Sequence, residues 1–325
     1  MAALKRHTAH DVDDQAEALT GWNQHYEQLA CGRFRGELWH LEMQGGFLVR
    51  EQTNRQLREQ IAPPPDHVVL AMPLAVQPGS VYAGRALDRD TLMVLPGGRE
   101  VDVVSAGELD LIGLAVHRDM LASTLAPSKR EWLQQAENER NLGLSADAAQ
   151  AIRQMLLAVC GEAEDRVAQG TPSTEARESE LLAMALNQAV ILAMGGDRSG
   201  PQGSTIPRRA DSRLKVVQRA IEFMREHLEQ DIGVGEICAA AFASRRSLQY
   251  CFEEFMHTTP QAYLRALRLN EARRALKLRA DPASKPITEL ASMLGCSSAS
   301  HFTRHYKAMF DELPSETLRQ YQLIP

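Results

Sequence analysis

Two groups of side chains near the carboxyl end could bind a polyanion and read it. The first is Arg245, Arg246, Gln249 and Tyr250; the second is Ser298, Ala299, Ser300, Thr303, Arg304 and Lys307. Arg, Gln, Ser and Thr carry donors and acceptors that meet base edges or phosphate oxygens in a major groove. One such group is also what the solvated face of an ordinary helix looks like. Two groups, each in the same local frame, point to DNA.

That frame is a repeat. Glu236-Ile-Cys-Ala-Ala-Ala-Phe-Ala-Ser244 lies 53 residues before Glu289-Leu-Ala-Ser-Met-Leu-Gly-Cys-Ser297. Each copy reads as a short apolar helix, a tight turn and a serine. The serine oxygen suits the N-cap of a following helix, where it accepts from an otherwise unpaired backbone N–H. In the following helices Leu248, Cys251, Phe252 and Phe255, then Phe302, Tyr306, Met309 and Phe310, fall at helical spacing and turn inward. The polar groups are left outward. Two short helices joined by a tight turn make a helix-turn-helix unit, so the chain is expected to carry two.

The spacing between the units fits a duplex. Residues 260–279 are rich in helix formers. Twenty residues at 1.5 Å each reach about 30 Å, and one face of B-DNA presents its major groove every ~34 Å. Arg265, Arg268, Arg273, Arg274, Lys277 and Arg279 add positive charge there. Some of them are expected at phosphates, others paired with Glu271 or solvated. The helices expected in this region are Leu214–Leu228, Val234–Ala241, Arg245–Met256, Pro260–Arg279, Ile287–Leu294 and Ser298–Phe310, with no strand.

Charge separates this region from the rest. The 325 residues carry 36 Lys+Arg and 42 Asp+Glu, a net −6. Residues 208–325 hold 18 basic and 14 acidic residues, or +4, which leaves 18 against 28, or −10, for the remainder. Residues 195–212 contain four glycines and two prolines and read as a linker. The domains expected are therefore 1–195, a linker at 196–212, and 213–325.

Before the linker the pattern changes. From about residue 34 to 116, short strand candidates at Gly36–Met43, His67–Met72, Thr91–Leu95 and Leu109–Val116 are separated by Gly and Pro clusters. Close-spaced short strands suggest a β-barrel or a two-sheet jelly roll. Residues 145–195 read as two helices. Ser145 is the expected cap of the first, and the second runs from Glu178 to Met194. That helical pair could bury a dimer interface or cap its own barrel; the sequence leaves both open. The fold class expected is α+β multidomain, an N-terminal barrel or jelly roll with a helical pair followed by an all-α region.

Residues 213–321 resemble the C-terminal DNA-binding domain of the AraC/XylS family of bacterial transcription regulators. The likeness rests on Ser244-x-x-x-Leu248, Phe252-x-x-Phe255, Pro260-x-x-Tyr263, Arg268, Ile287-x-Glu-Leu-Ala291, Gly295, Ser300-His-Phe-x-Arg304, Tyr306-Lys307, Phe310 and Pro314. It covers about a third of the chain. It implies base reading by Arg246, Gln249 and Tyr250 with Arg245 close by, and by Ser298, Ala299, Thr303 and Arg304, with Lys307 at a phosphate. Three residues depart from the family pattern. Phe242 and Asp311 stand where glycine is usual, and Cys296 stands where an aromatic is usual. Ala299 could only touch a thymine methyl, so the first unit is expected to supply more of the direct readout. The N-terminal part resembles the cupin-like sensing domain of many such regulators in strand pattern and domain order.

The resemblance implies a cytoplasmic transcription factor, an activator answering a small-molecule effector of unknown identity, with double-stranded DNA, a second copy and RNA polymerase as partners and no cofactor. Two other readings compete. A cupin-type metal enzyme would need closely spaced histidines, and the chain has no His-x-His; His25, His40, His67 and His117 are isolated in sequence. No Gly-x-Ser-x-Gly, His-Glu-x-x-His or phosphate-binding Gly-Lys-Ser/Thr occurs. The other reading is a DNA-binding protein without a ligand. Trp39, Tyr82, Arg85 and Arg99 are side chains a pocket could use, and none is assigned to one. Five scattered cysteines without a C-x-x-C pair read as reduced thiols, and no apolar run reaches the ~18–20 residues of a membrane span.

Overall fold

Alternation of apolar residues builds the first region into strands, and a 3.6-residue period builds the remainder into helices. The computed structural model describes residues 3–169, 174–196, 208–278, 287–295 and 298–322. Its first elements are β1 (Ala3–Ala9), α1 (Val12–Glu17), β2 (Asn23–Gln28), β3 (Gly36–Met43), β4 (Gly46–Thr53), β5 (Leu57–Ala62), β6 (His67–Val76), β7 (Val81–Tyr82), β8 (Arg85–Ala86) and β9 (Thr91–Pro96). Next come β10 (Val101–Val104), β11 (Leu109–His117), α2 (Arg118–Thr124), α3 (Pro127–Glu139), β12 (Asn141–Gly143), α4 (Ala146–Ala168) and α5 (Glu175–Gly196). The helical region holds α6 (Arg208–Glu226), α7 (Val234–Ala240), α8 (Arg245–Met256), α9 (Pro260–Leu278), α10 (Ile287–Met293), α11 (Ala299–Phe310) and α12 (Pro314–Gln322).

Two compact units result. The first draws on Met1–Tyr26, Arg35–Asn54 and Glu59–Thr205; the second on Glu27–Phe34, Arg55–Arg58 and Ile206–Pro325. Within the stretch expected as a linker, 196–212, Gly196 closes α5 and α6 starts at Arg208. Residues 197–207 lie outside the described residues.

The strands form a seven-stranded sheet in the order β1-β3-β4-β11-β6-β9-β12 and a five-stranded one in the order β2-β5-β10-β7-β8. Both are open, so of the two expected forms the two-sheet sandwich is realised rather than a closed barrel. One face of the larger sheet packs on helices. Trp39, Leu41, Leu48, Leu70, Val94 and Leu114 share a core with Ile152 and Leu156 of α4 and Leu182, Leu186 and Val190 of α5. Each such side chain contributes about 1.5–3 kcal/mol by leaving water. The opposite face carries Val49, Glu51, Val69, Ala71 and Met93, the alternate residues of the same strands.

Ser145 caps α4 as expected, its Oγ accepting from the Ala148 N–H at 3.3 Å. By length and composition alone, α5 is long and apolar enough to cross a membrane. In the fold it lies against the sheet, with Leu182, Ala185, Leu186, Ala189, Val190 and Ala193 buried.

Candidate nucleic-acid interface

In the first helix-turn-helix, α7 is followed by a turn on Phe242, which holds φ +52°. This is the left-handed conformation that glycine adopts freely and other residues adopt at about 1–2 kcal/mol. The residue singled out as a departure therefore keeps the glycine conformation. Its ring is 83% exposed, with the Arg219 guanidinium 5.4 Å from the ring centroid. Ser244 then caps α8, accepting from the Ser247 N–H at 3.1 Å.

Along α8, Leu248, Cys251, Phe252 and Phe255 are buried. Arg245, Arg246 and Tyr250 are exposed and Gln249 is half-buried. Thus the outward group is presented as the sequence predicts. Gln249 is already engaged: its Nε2 donates to Glu253 Oε1 at 2.7 Å. The Tyr250 ring lies under Arg213, 5.5 Å from centroid to guanidinium, and Arg213 also pairs with Glu254 at 2.9 Å. Arg245 and Arg246 have no carboxylate partner among the described residues, which leaves both guanidinium forks open for a base or a phosphate.

The second helix-turn-helix is α10, a turn at Gly295 with φ +67°, and α11. Cys296 and Ser297 lie outside the described residues. The cap of α11 is Ser298, one residue beyond the serine the repeat marks; it accepts from the His301 N–H at 3.5 Å. The capping oxygen also lies 3.0 Å from Ser300 Oγ. Phe302, Tyr306, Met309 and Phe310 are buried, while Ala299, Ser300, Arg304 and Lys307 are exposed. Thr303 donates its hydroxyl to the Ala299 carbonyl at 2.9 Å, which leaves the oxygen as an acceptor. Asp311, the other residue in a glycine position, ends the helix at φ +59°.

The connector α9 sorts its cations. Arg268 is not free for a phosphate: it donates to the carbonyls of Leu228 at 3.2 Å, Gly295 at 3.4 Å and Gln230. A Cβ at Gly295 would stand 2.7 Å from Arg268 Nη2 and would push the guanidinium aside, while the positive φ is what favours glycine there. Arg273 is buried, pairs with Glu312 at 2.6 Å and lies over Phe310. Arg274 pairs with Glu271 at 3.6 Å, and Lys277 lies over Tyr321. Arg279 lies outside the described residues.

Arg265 remains exposed. With Gln261, Ser298, His301 and His305 it borders a cleft of about 400 Å³ beside α11. Burial first, and then the positive charges of Arg265, Arg304 and His301, push the His305 pKa down. Sequence reasoning missed His301 and His305 as part of this face. Their i, i+4 spacing on α11, next to Arg265, was the available signal.

The helical unit also has a buried ionic centre. Glu27 is 2% exposed and accepts from Arg225 at 2.5 Å and from the Tyr263 hydroxyl at 2.7 Å. Arg58 stands 3.7 Å from the same carboxylate and donates to the Tyr263 oxygen at 3.2 Å. Nearby, the Asn270 amide exchanges two hydrogen bonds with the Gln28 backbone, at 3.1 and 2.9 Å. Gln28 Nε2 and the Gly32 N–H reach the Met309 carbonyl at the end of α11, at 2.8 and 3.0 Å. Segment 27–34 therefore satisfies helix-end acceptors that α11 cannot satisfy itself.

Of the four side chains considered for a pocket in the first unit, Trp39 packs in the core shared with the helices and also borders a cleft of about 540 Å³ with Arg50 and Cys160. Tyr82 donates to the Val94 carbonyl at 2.9 Å. Arg85 donates to the Asn141 carbonyl at 3.4 Å, and Arg99 is exposed in a turn. His67 and His117, apart in sequence, both bind Asp66, at 2.8 and 2.9 Å. Among the described residues no group of three or more His, Cys, Asp or Glu is arranged to hold a metal ion.

A family model described as a helix-turn-helix domain matches residues 237–320. The probable thc operon regulatory protein of Rhodococcus erythropolis is 38% identical over 104 residues, 32% of this chain and 31% of that protein. The XylDLEGF operon transcriptional activator of Pseudomonas putida is 35% identical over 121 residues, 36% of this chain and 37% of that protein. The chain thus matches about a third of the length of these relatives. A solved AraC-type DNA-binding-domain regulator from Chromobacterium violaceum is 30% identical and covers 36% of this chain and 99% of its own, with a TM-score of 0.32.

Proposed function

We propose that the whole chain is a sequence-specific, effector-responsive transcriptional regulator of the AraC/XylS type rather than an enzyme; the helix-turn-helix match over residues 237–320 and the likeness to operon activators support this reading. The observation that carries this reading is the duplication. Two capped twelve-residue helices, α8 and α11, bury matching apolar faces and turn cationic and hydroxyl side chains outward. Arg246, Gln249 and Tyr250, with Arg245 beside them, read bases in one major groove. Ser298, Ala299, Thr303 and Arg304 read the next, and Lys307 holds a phosphate. Gln249 exchanges its bond to Glu253 for a base edge on docking. Arg265 and the two histidines of the adjacent cleft add phosphate contacts.

In this reading the first unit senses a small molecule, and the ligand acts through a difference in affinity between two states of the chain. A second copy covers the apolar side chains Leu157, Met184, Ile191 and Met194 that α4 and α5 expose. The protein works in the cytoplasm as an activator and meets RNA polymerase, as the family resemblance implies. The test is a footprint of the full chain on the DNA flanking its own gene. Two protected tracts about one helical turn apart, lost at high salt, support the reading. Unprotected DNA at every salt concentration overturns it.

A further inference from the structure

We infer that the first unit binds a compact organic ammonium ion between its two sheets, with the Glu51–Glu59 carboxylate pair as counter-charge; this deepens the effector-sensing reading above and rests on it. The space is a partly open cavity of about 40 Å³ lined by Trp22, Gln24, Val69, Met93, Leu95 and Glu51, among others. One water needs about 10–15 Å³ on this measure, so the cavity has room for an ammonium head with one or two carbons.

The polar groups around it are unfinished. Glu59 lies on the same face of β5 as the cavity-lining Ile61 and is 1% exposed, and neither of its oxygens has a hydrogen-bond partner. Gln24 Oε1 and Gln15 Oε1 are buried acceptors without a donor. Glu51 accepts from Gln15 Nε2 at 2.8 Å and from the Tyr26 hydroxyl at 3.1 Å, so its neighbours bring hydrogen bonds but no positive charge. Buried acceptors with no donor cost free energy, and buried charges without a counter-ion cost more.

An ammonium group supplies both missing elements, donors for the orphaned oxygens and charge for the pair. Trp22 and the aliphatic wall then suit its alkyl groups. A hydrated inorganic cation would need an oxygen cage, and this wall is largely apolar. Burial pushes both carboxyl pKa values up, and the charge of Glu51 raises Glu59 further. Tyr26 is the other titratable group facing the pair; burial holds it in its protonated, donating form.

The test uses the full chain at pH 8 and constant ionic strength. Methylammonium and ethylammonium are compared with ethanol, acetate and sodium by calorimetry and thermal unfolding. The two ammonium ions should raise the unfolding midpoint and release heat, and the other probes should do neither. Glu59→Gln keeps the shape and removes the charge. It should weaken ammonium binding by about tenfold or more, a loss equivalent to ~1.4 kcal/mol, while raising the midpoint of the ligand-free protein. An ammonium effect no larger than that of sodium, or one that Glu59→Gln leaves intact, overturns the proposal. DNA footprinting is scored separately. Lost ammonium binding with an intact footprint rejects the pocket alone, and the reverse rejects the regulator reading alone.

Discussion

Two buried glutamates divide the molecule. Glu27, in the helical unit, is 2% exposed and bound by Arg225 and Tyr263, with Arg58 beside it. Glu59, in the sheet unit, is 1% exposed and bound by nothing. The residue type and the burial are the same, and the surroundings make them opposites. A buried carboxylate surrounded by guanidinium and hydroxyl donors is part of the architecture. A buried carboxylate without donors, beside a cavity, is a site awaiting a partner. Tyr26 and Glu27 are neighbours in sequence on β2, and Arg58 and Glu59 are neighbours on β5; the division between the two units falls within each pair.

The sharpest way to break this comparison is to remove Glu27. Glu27→Ala leaves Arg58 and Arg225 without their counter-charge, and breaking a buried pair from one side costs about 3–5 kcal/mol. Hydrogen exchange should show the α6 and α9 amides losing protection, with those of β4 and β11 little changed. Equal losses in both units would mean that Glu27 does not belong to the helical unit's architecture.

Glu59→Gln should have the opposite sign. It removes a buried charge that has no counter-ion and leaves a neutral amide in its place, a relief of about 1–3 kcal/mol where the carboxyl would ionise. The pH dependence follows from the raised carboxyl pKa. The folded state holds the Glu59 proton more tightly than the unfolded chain, so its contribution to stability is complete below the ordinary carboxylate pKa. It is lost as pH rises through the elevated folded value. Urea midpoints of the wild type should fall across that window, and those of Glu59→Gln should stay flatter. Parallel curves would remove the contrast between the two glutamates.

What the sequence made legible follows the same division. Local features were readable. The bounds of α8, the outward positions of Arg245, Arg246, Tyr250 and Arg304, and the turn on Phe242 all depend on a few neighbouring residues. The sandwich was readable from strand density, though β1 and β2 precede the stretch that looked strand-like and α1 to α3 were not foreseen. The two glutamate environments were not legible. Glu27 meets Arg225 and Tyr263 across roughly two hundred residues of chain, and no periodicity encodes such a meeting. The cavity lies on the face of β4 where Glu51 interrupts an apolar alternation. That interruption was the one available signal, and an isolated polar residue in a strand more often faces solvent. Likewise composition left open which cations of α9 would meet a phosphate, and only their partners show Arg268 and Arg273 to be internal ties.

A smaller effect separates the two halves of the DNA-binding face. Arg246→Ala should cost about 1–3 kcal/mol of discrimination between cognate and random DNA if the side chain reads a guanine. Lys307→Ala should weaken both equally and reduce the salt slope by about one. Competition binding at several salt concentrations checks this. An equal loss on both DNAs for Arg246→Ala would place it at a phosphate and shift the readout toward α11.

The smallest effect concerns the two left-handed turns that lack glycine. Asp311 at φ +59° ends α11 directly after the residues that segment 27–34 caps. Asp311→Gly should stabilise the helical unit by about 1 kcal/mol or less, because glycine adopts this conformation without a Cβ penalty but loses more entropy on folding. Asp311→Val, β-branched and strained at positive φ, should destabilise it. Phe242→Gly makes the same exchange at the other turn but also removes the ring that Arg219 covers, so its gain should be smaller than that of Asp311→Gly. Thermal midpoints of the three variants rank these effects. If Phe242→Gly gained more than Asp311→Gly, the Arg219 contact would contribute nothing, and the first turn would be held by backbone strain alone.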